Sequence, residues 1–164
     1  MEGKFYGSED FNPRLITTQI VVMQSLFYTT FVTITAMADW FAGFTQSLSQ
    51  FFQPEEYTWE TQEGFVMLVC LCLTSLLMAV ALRFVVERAK KCLDFVATYH
   101  FFHLVFTCCN SDFPKTFHWW CANGFALVIA TVLGEYLCMQ AETKAIKLVA
   151  KPTKAAKPST CDDL

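Results

Sequence analysis

The sequence predicts an all-α protein, a four-helix transmembrane bundle with both termini in the cytosol. Three observations predict it. Four apolar stretches, at about 15–41, 65–86, 92–109 and 118–139, each approach the ~20 residues that a helix needs to cross the hydrocarbon of a bilayer. Hydrophobic residues make up 54% of the 164, which leaves room for four crossings and for no separate soluble domain. Once the four stretches are threaded, 11 of the 12 Lys and Arg residues fall on one side, and the side that keeps cations in its loops is the cytosolic one.

Residues 1–14 are a short polar segment, read as cytosolic. It carries Lys4 and Arg14 and is closed by Pro13, which fits the opening turn of a helix. The stretch 15–41 is too long for the apolar core of a secretory signal, and no small-residue cleavage pattern follows it, so it is read as a retained span. Thr17, Thr18, Thr29, Thr30, Thr33, Thr35, Gln19 and Gln24 stud this stretch, and polar side chains in lipid favour partners; the first helix is therefore expected to sit against several neighbours. The loop that follows holds Pro54, four glutamates (Glu55, Glu56, Glu60 and Glu63) and the aromatics Phe51, Phe52, Tyr57 and Trp59, and is expected to lie along the lumenal headgroups.

The second span, nearly pure apolar residues from Phe65 to Leu82, is expected to face lipid on much of its surface. Arg83, Arg88, Lys90 and Lys91 mark its cytosolic return. The third span, 92–109, is barely long enough, and Lys115 is the lone cation beyond it. The fourth, 118–139, leads into residues 141–164, a basic cytosolic tail with Lys144, Lys147, Lys151, Lys154 and Lys157; it is expected to be disordered because it has almost nothing to bury. Trp40, Trp59, Trp119 and Trp120 all fall near the lumenal interface, as an aromatic belt requires.

Several function classes lose support at this stage. The net charge of −3 conceals opposite signs on the two sides, and the basic residues lack the interleaved aromatics of a nucleic-acid surface. Eight cysteines contain no C-x-x-C, which argues against a redox pair or a paired zinc site. The start Met-Glu-Gly does not expose a glycine for myristoylation, and Cys161-Asp162-Asp163-Leu164 puts acids where prenylation wants aliphatics. Cys92 and Cys138, near the cytosolic interface, are candidates for palmitoylation, and Cys108 or Cys109 could meet Cys121 in the lumen. No G-x-S-x-G, H-E-x-x-H or phosphate-cradling glycine loop is present, so no catalytic residue and no cofactor are predicted.

An ionisable side chain inside a span is costly enough to carry a functional hypothesis, which singles out Asp39, Asp94, His100, His103 and Glu135. Asp94, at the start of the third span, and Glu135, about one turn from the end of the fourth, share a depth near the cytosolic belt of Arg14, Arg83, Arg88, Lys90 and Lys91. They either pair with those cations and lock helices together or open a pocket to a cytosolic partner. His100 and His103 share a face, but Asp94 falls half a turn from His103. Three histidines are too few for a histidine-cluster metal site, and no metal ligand is assigned.

Three segments go further. Gln19-Ile20-Val21-Val22-Met23-Gln24, then Lys91-Cys92-Leu93-Asp94-Phe95 continuing to His100-Phe101-Phe102-His103-Leu104, and Gly134-Glu135-Tyr136-Leu137-Cys138-Met139 closely resemble the Sys-one family of Golgi membrane proteins. Phe113-Pro114, Trp119-Trp120, and Glu142 with Lys144 fit the same pattern, in order and over nearly the whole membrane region. The resemblance implies a multi-pass protein of the trans-Golgi that recruits an Arf-related small GTPase with an acetylated N-terminus, supporting vesicle tethering and endosome–Golgi transport. On that reading Gln19, Asp94, His100, His103 and Glu135 form a recess for the partner, and Arg88, Lys90 and Lys91 steer it. Self-association is left open. The alternative from another class is a small proton- or ion-coupled transporter using the intramembrane Asp, Glu and His; a membrane enzyme comes third.

Overall fold

The computed structural model describes residues 12–111 and 113–150, without the side chains of 48–49 and 145–150. Most of the N-terminal segment and the tail from residue 151 lie outside the described residues, and with them the expected disorder there. Within them the chain is helical and holds no strand. Pro13 opens α1 (Pro13–Ala42), where its missing N–H deprives no intrahelical acceptor. Gly43 ends α1 in the left-handed conformation, φ 76°, and donates its amide to the Asp39 carbonyl. Thr61 caps α2 (Gln62–Val85) by accepting the Gly64 amide through its hydroxyl. A short 3-10 turn, Ala89–Lys91, leads into α3 (Cys92–Asn110), and α4 runs from Phe117 to Ala150. All four helices are long and apolar enough to cross a membrane.

The spans thus fall where the sequence placed them, but α4 does not stop at 139. Residues 141–150, assigned to the disordered tail, continue the helix. Ala141, Glu142, Lys144 and Ala145 are good helix formers, and no breaker appears before Pro152.

α1 and α4 each pack on both α2 and α3, so the helices run in the order α1–α2–α4–α3 around the bundle, with α1 diagonal to α4 and α2 diagonal to α3. Contacts fix the directions. Gln19 near the start of α1 reaches Val85 at the end of α2, and Thr35 near the end of α1 reaches Met67 near the start of α2. Cys92 at the start of α3 meets Cys138 late in α4, and His103 meets Trp119 at the other end. Each helix is antiparallel to the one before it. One end of the bundle therefore collects Gln19, Arg83, Arg88, Lys90, Lys91 and Glu142, and is called the basic end below; the other carries the long loop between α1 and α2.

Two expectations about the spans are reversed. α1, expected to be enclosed, is the least buried of the four, and α2, expected to face lipid, is the most buried. The reason is local. The hydroxyls of Thr17, Thr18, Ser25 and Thr33 each donate to the carbonyl four residues earlier, so they need no neighbour and tolerate exposure. On α2, Thr74 and Ser75 are satisfied the same way, and with Cys70 and Ala79 they present small surfaces that let helices approach closely. Gly134 of α4 completes this contact: a Cβ there would lie 2.7 Å from Leu82 Cδ1.

The loop between α1 and α2 does not lie out along a headgroup surface. Phe51 and Tyr57 are buried, and the Tyr57 hydroxyl donates to the Phe51 carbonyl at 3.2 Å. Phe51 packs edge-on against Phe31 of α1, and Phe52 lies 6.1 Å from Tyr28 and 6.2 Å from His103, ring centre to ring centre. The loop plugs its end of the bundle. It also crosses directly over Gly64, where a Cβ would collide with the Thr58 carbonyl oxygen and sit 2.7 Å from that of Glu56. Of the predicted tryptophan belt, Trp40, Trp59 and Trp120 are exposed at this end as required, whereas Trp119 turns inward and stacks on His103.

Candidate partner-binding site

The residues proposed for partner binding separate into two groups, while Asp39 is buried at the loop end, where its carboxylate accepts from the Gln50 amide at 2.9 Å. Gln19, Arg88, Lys90, Lys91, Asp94 and Glu135 lie towards the basic end. His100 and His103 lie deeper, buried on the inner face of α3. The five-residue recess expected from the sequence is not a single recess. About 100° per residue separates successive side chains on a helix, so the face that buries Cys92, Val96, Tyr99 and His103 turns Asp94 outward, and Asp94 is exposed.

At the basic end the helices are fastened by side chains bonded to backbone. The Gln19 amide donates to the Val85 carbonyl at 2.7 Å, tying α1 to the end of α2. Arg83 donates through Nη1 to the Leu137 carbonyl at 3.3 Å, tying α2 to α4. Glu142 accepts the Ala89 amide at 3.2 Å, tying the 3-10 turn to α4. These contacts use Arg83 and Glu142 structurally, roles that depend on inter-helix register and leave no mark in the sequence. Glu135 is half-buried, and among the described residues no ion pair joins it or Asp94 to a neighbouring helix. Arg88, Lys90 and Lys91 are exposed beside them.

The histidines belong to an aromatic layer. His103 is in ring contact with Phe27, Tyr28, Phe31, Phe52 and Trp119, and its Nδ1 lies 3.4 Å from the Tyr28 hydroxyl. His100 donates from Nδ1 to the Val96 carbonyl at 3.0 Å, which leaves Nε2 as an acceptor when the ring is neutral. Both Nε2 atoms are buried without a partner, as are the Tyr99 hydroxyl and the Gln24 amide. No group of three His, Cys, Asp or Glu side chains among the described residues is placed to hold a metal ion.

The cysteine expectations also change. Cys92 and Cys138 are fully buried, with sulfurs 3.5 Å apart, so neither thiol faces the surface that palmitoylation requires. Cys108, Cys109 and Cys121 are exposed and unbridged.

A bundle of four helices long and apolar enough to cross a membrane, with an aromatic plug at one end and a cluster of cations at the other, has the make-up of an integral membrane protein. Comparison with known proteins makes this specific. Residues 6–148 match the family SYS1, described as "Integral membrane protein S linking to the trans Golgi network", and the chain belongs to that family. It is similar to Protein SYS1 homolog of Nematostella vectensis, 41% identical over 139 residues, which are 85% of this chain and 88% of that one. It is also similar to Protein SYS1 homolog of Dictyostelium discoideum, 36% identical over 144 residues, covering 88% of this chain and 62% of the longer relative. No solved structure matches.

Proposed function

We propose that this protein is a trans-Golgi membrane receptor whose basic end faces the cytosol and recruits an Arf-related small GTPase, in support of vesicle tethering and endosome–Golgi transport. Membership of a family linked to the trans Golgi network supports the compartment. The single observation that carries the docking reading is the exposure of Asp94 beside Arg88, Lys90 and Lys91, at the end where the helices are already fastened by other side chains. The exposed side chains of Asp94, Lys90 and Lys91 are accessible to a partner. Asp94 and Glu135 would accept hydrogen bonds from the GTPase, the three cations would steer an acidic surface toward the membrane, and Gln19 keeps its carbonyl oxygen beside them. His100 and His103 take the supporting part, holding α3 against α1 and α4.

An acetylated N-terminus suits such a place. A free ammonium moved to the headgroup–hydrocarbon boundary loses hydration, at a cost of several kcal/mol, whereas an acetyl amide brings groups that one carboxylate or amide side chain satisfies. The amphipathic helix that follows such a terminus would lie along the headgroups beside α3.

Pull-down of the detergent-solubilised protein with an Arf-related GTPase, in acetylated and free forms and in both nucleotide states, tests partner and chemistry together. Asp94→Ala and Glu135→Ala are expected to keep the protein in the Golgi and to release the GTPase to the cytosol. Unchanged GTPase distribution in both variants contradicts the docking face. The orphaned Nε2 atoms of His100 and His103 favour a second reading, a proton- or ion-coupled transporter, and proton-dependent flux into reconstituted vesicles would establish it.

A further inference from the structure

Cys92 and Cys138 come from different helices and are 46 residues apart in sequence, yet their sulfurs lie 3.5 Å from each other, and neither residue has exposed surface. Cys92 also donates to the Arg88 carbonyl at 3.4 Å. The contact sits between two fastenings of α4. Arg83 holds the Leu137 carbonyl immediately before Cys138, and Glu142 holds the Ala89 amide one turn after it. Gly134, one turn earlier, seats α4 directly against Leu82 of α2. The thiols are therefore held face to face, and groups held in this way react as if at very high local concentration.

We propose that Cys92 and Cys138 are a modification site, a dithiol that closes into a disulfide between α3 and α4 when it meets a hydroperoxide. Covalent closure requires the sulfurs to approach from 3.5 Å to about 2.05 Å. Cys92 is the first residue of α3 and directly follows a 3-10 turn, which is the segment that would adjust on closure. The chemistry balances in two steps. One cysteine gives up its proton and attacks the hydroperoxide as the thiolate; the O–O bond breaks, the departing oxygen takes up the proton, and a sulfenic acid and water (or an alcohol) result. The second thiol displaces hydroxide from the sulfenic sulfur, forming the S–S bond and releasing a second water. The oxidant is specified by burial: hydrogen peroxide is small and uncharged enough to enter, whereas a glutathione-sized disulfide is not. On the cytosolic side of a membrane such a bond would be transient, formed under oxidant load and reversed by cellular dithiols. The site is independent of the docking reading, because neither cysteine lies on the exposed charged face.

The test uses the full chain in detergent. Exposed Cys108, Cys109 and Cys121 are first capped with a maleimide, the protein is exposed to hydrogen peroxide, and the denatured product is digested and analysed by mass spectrometry. The expected result is a linked Cys92–Cys138 peptide, 2 Da lighter than the two thiol peptides together, which dithiothreitol reverses and which Cys92→Ser and Cys138→Ala each abolish. Glutathione disulfide under the same conditions should leave the pair reduced. Recovery of both cysteines from peroxide-treated wild type as separate thiols, or as separate sulfinic or sulfonic acids, overturns the proposal, and that result needs no variant to fold.

Discussion

The two ends of the bundle are closed by different physics. At the loop end, side chain packs on side chain: Phe51 on Phe31, Phe52 on Tyr28 and His103, and Tyr57 beneath them. At the basic end, Gln19, Arg83 and Glu142 reach backbone groups of neighbouring segments, and Lys90, Lys91 and Asp94 are exposed outside them. The first arrangement sets the exposed carboxylates of Glu55, Glu60 and Glu63 around an aromatic plug. The second separates stability from recognition, so that charges can change with little effect on the fold. Substitutions at the two ends should therefore differ in kind.

The largest expected effect is at the loop end. Phe31→Ala removes a fully buried ring from contact with Phe27, Phe51 and His103, and should cost about 3–5 kcal/mol, read as a lower unfolding temperature in detergent. Gly64→Ala should cost about 1–3 kcal/mol, because the new methyl group meets the backbone oxygens of Thr58 and Glu56, which move only with the whole plug. Limited proteolysis of the loop would show whether the plug is what gives way.

Alkaline pH probes the same end. Burial raises the pKa of the Tyr57 phenol above its ordinary value, so the folded state holds the neutral form where the unfolded state ionises. The stability it contributes is complete below roughly pH 10 and declines as pH rises beyond, by up to about 1.4 kcal/mol per pH unit. Tyr57→Phe, which loses the bond to the Phe51 carbonyl, should be weaker at neutral pH and less sensitive above pH 10. A parallel decline in wild type and variant would assign the sensitivity elsewhere.

A smaller effect, of the opposite sign, belongs to the basic end. Glu87, just after α2, is the one non-glycine residue with positive φ among those described, at 58°. Glu87→Gly should relieve that backbone strain and stabilise the protein by about 0.5–1 kcal/mol. Asp94→Ala should move the unfolding temperature least of all and, on the proposed function, release the GTPase, which would set the two ends furthest apart.

The sequence made the spans legible because twenty apolar residues in a row have few other uses, and the helical period correctly set Asp94 half a turn from His103. The residue motifs also led to the right family before any geometry was known. Other features depend on contacts between segments. Nothing in Phe51, Phe52 and Tyr57 as letters distinguishes a plug from a loop lying on headgroups. The threonines of α1 read as calling for neighbours, yet Thr17, Thr18 and Thr33 donate to carbonyls one turn earlier in their own helix. Cys92 and Cys138 stand too far apart in sequence for spacing to reveal their contact, and α4 passed its expected end because the limit of the apolar run is not the limit of the helix.

The order α1–α2–α4–α3 makes the molecule two helical hairpins laid side by side, with parallel helices meeting across the seam. His100 and His103 are on the second hairpin, and much of what covers them, including Phe27, Tyr28 and Phe52, is on the first. Until the two hairpins dock, His100 and His103 would have only Tyr99 and Trp119 of their own hairpin against them. A chain that inserts but fails to assemble would display those rings to the lipid, a mark by which the quality-control machinery of the endoplasmic reticulum could tell an orphaned half from a finished protein.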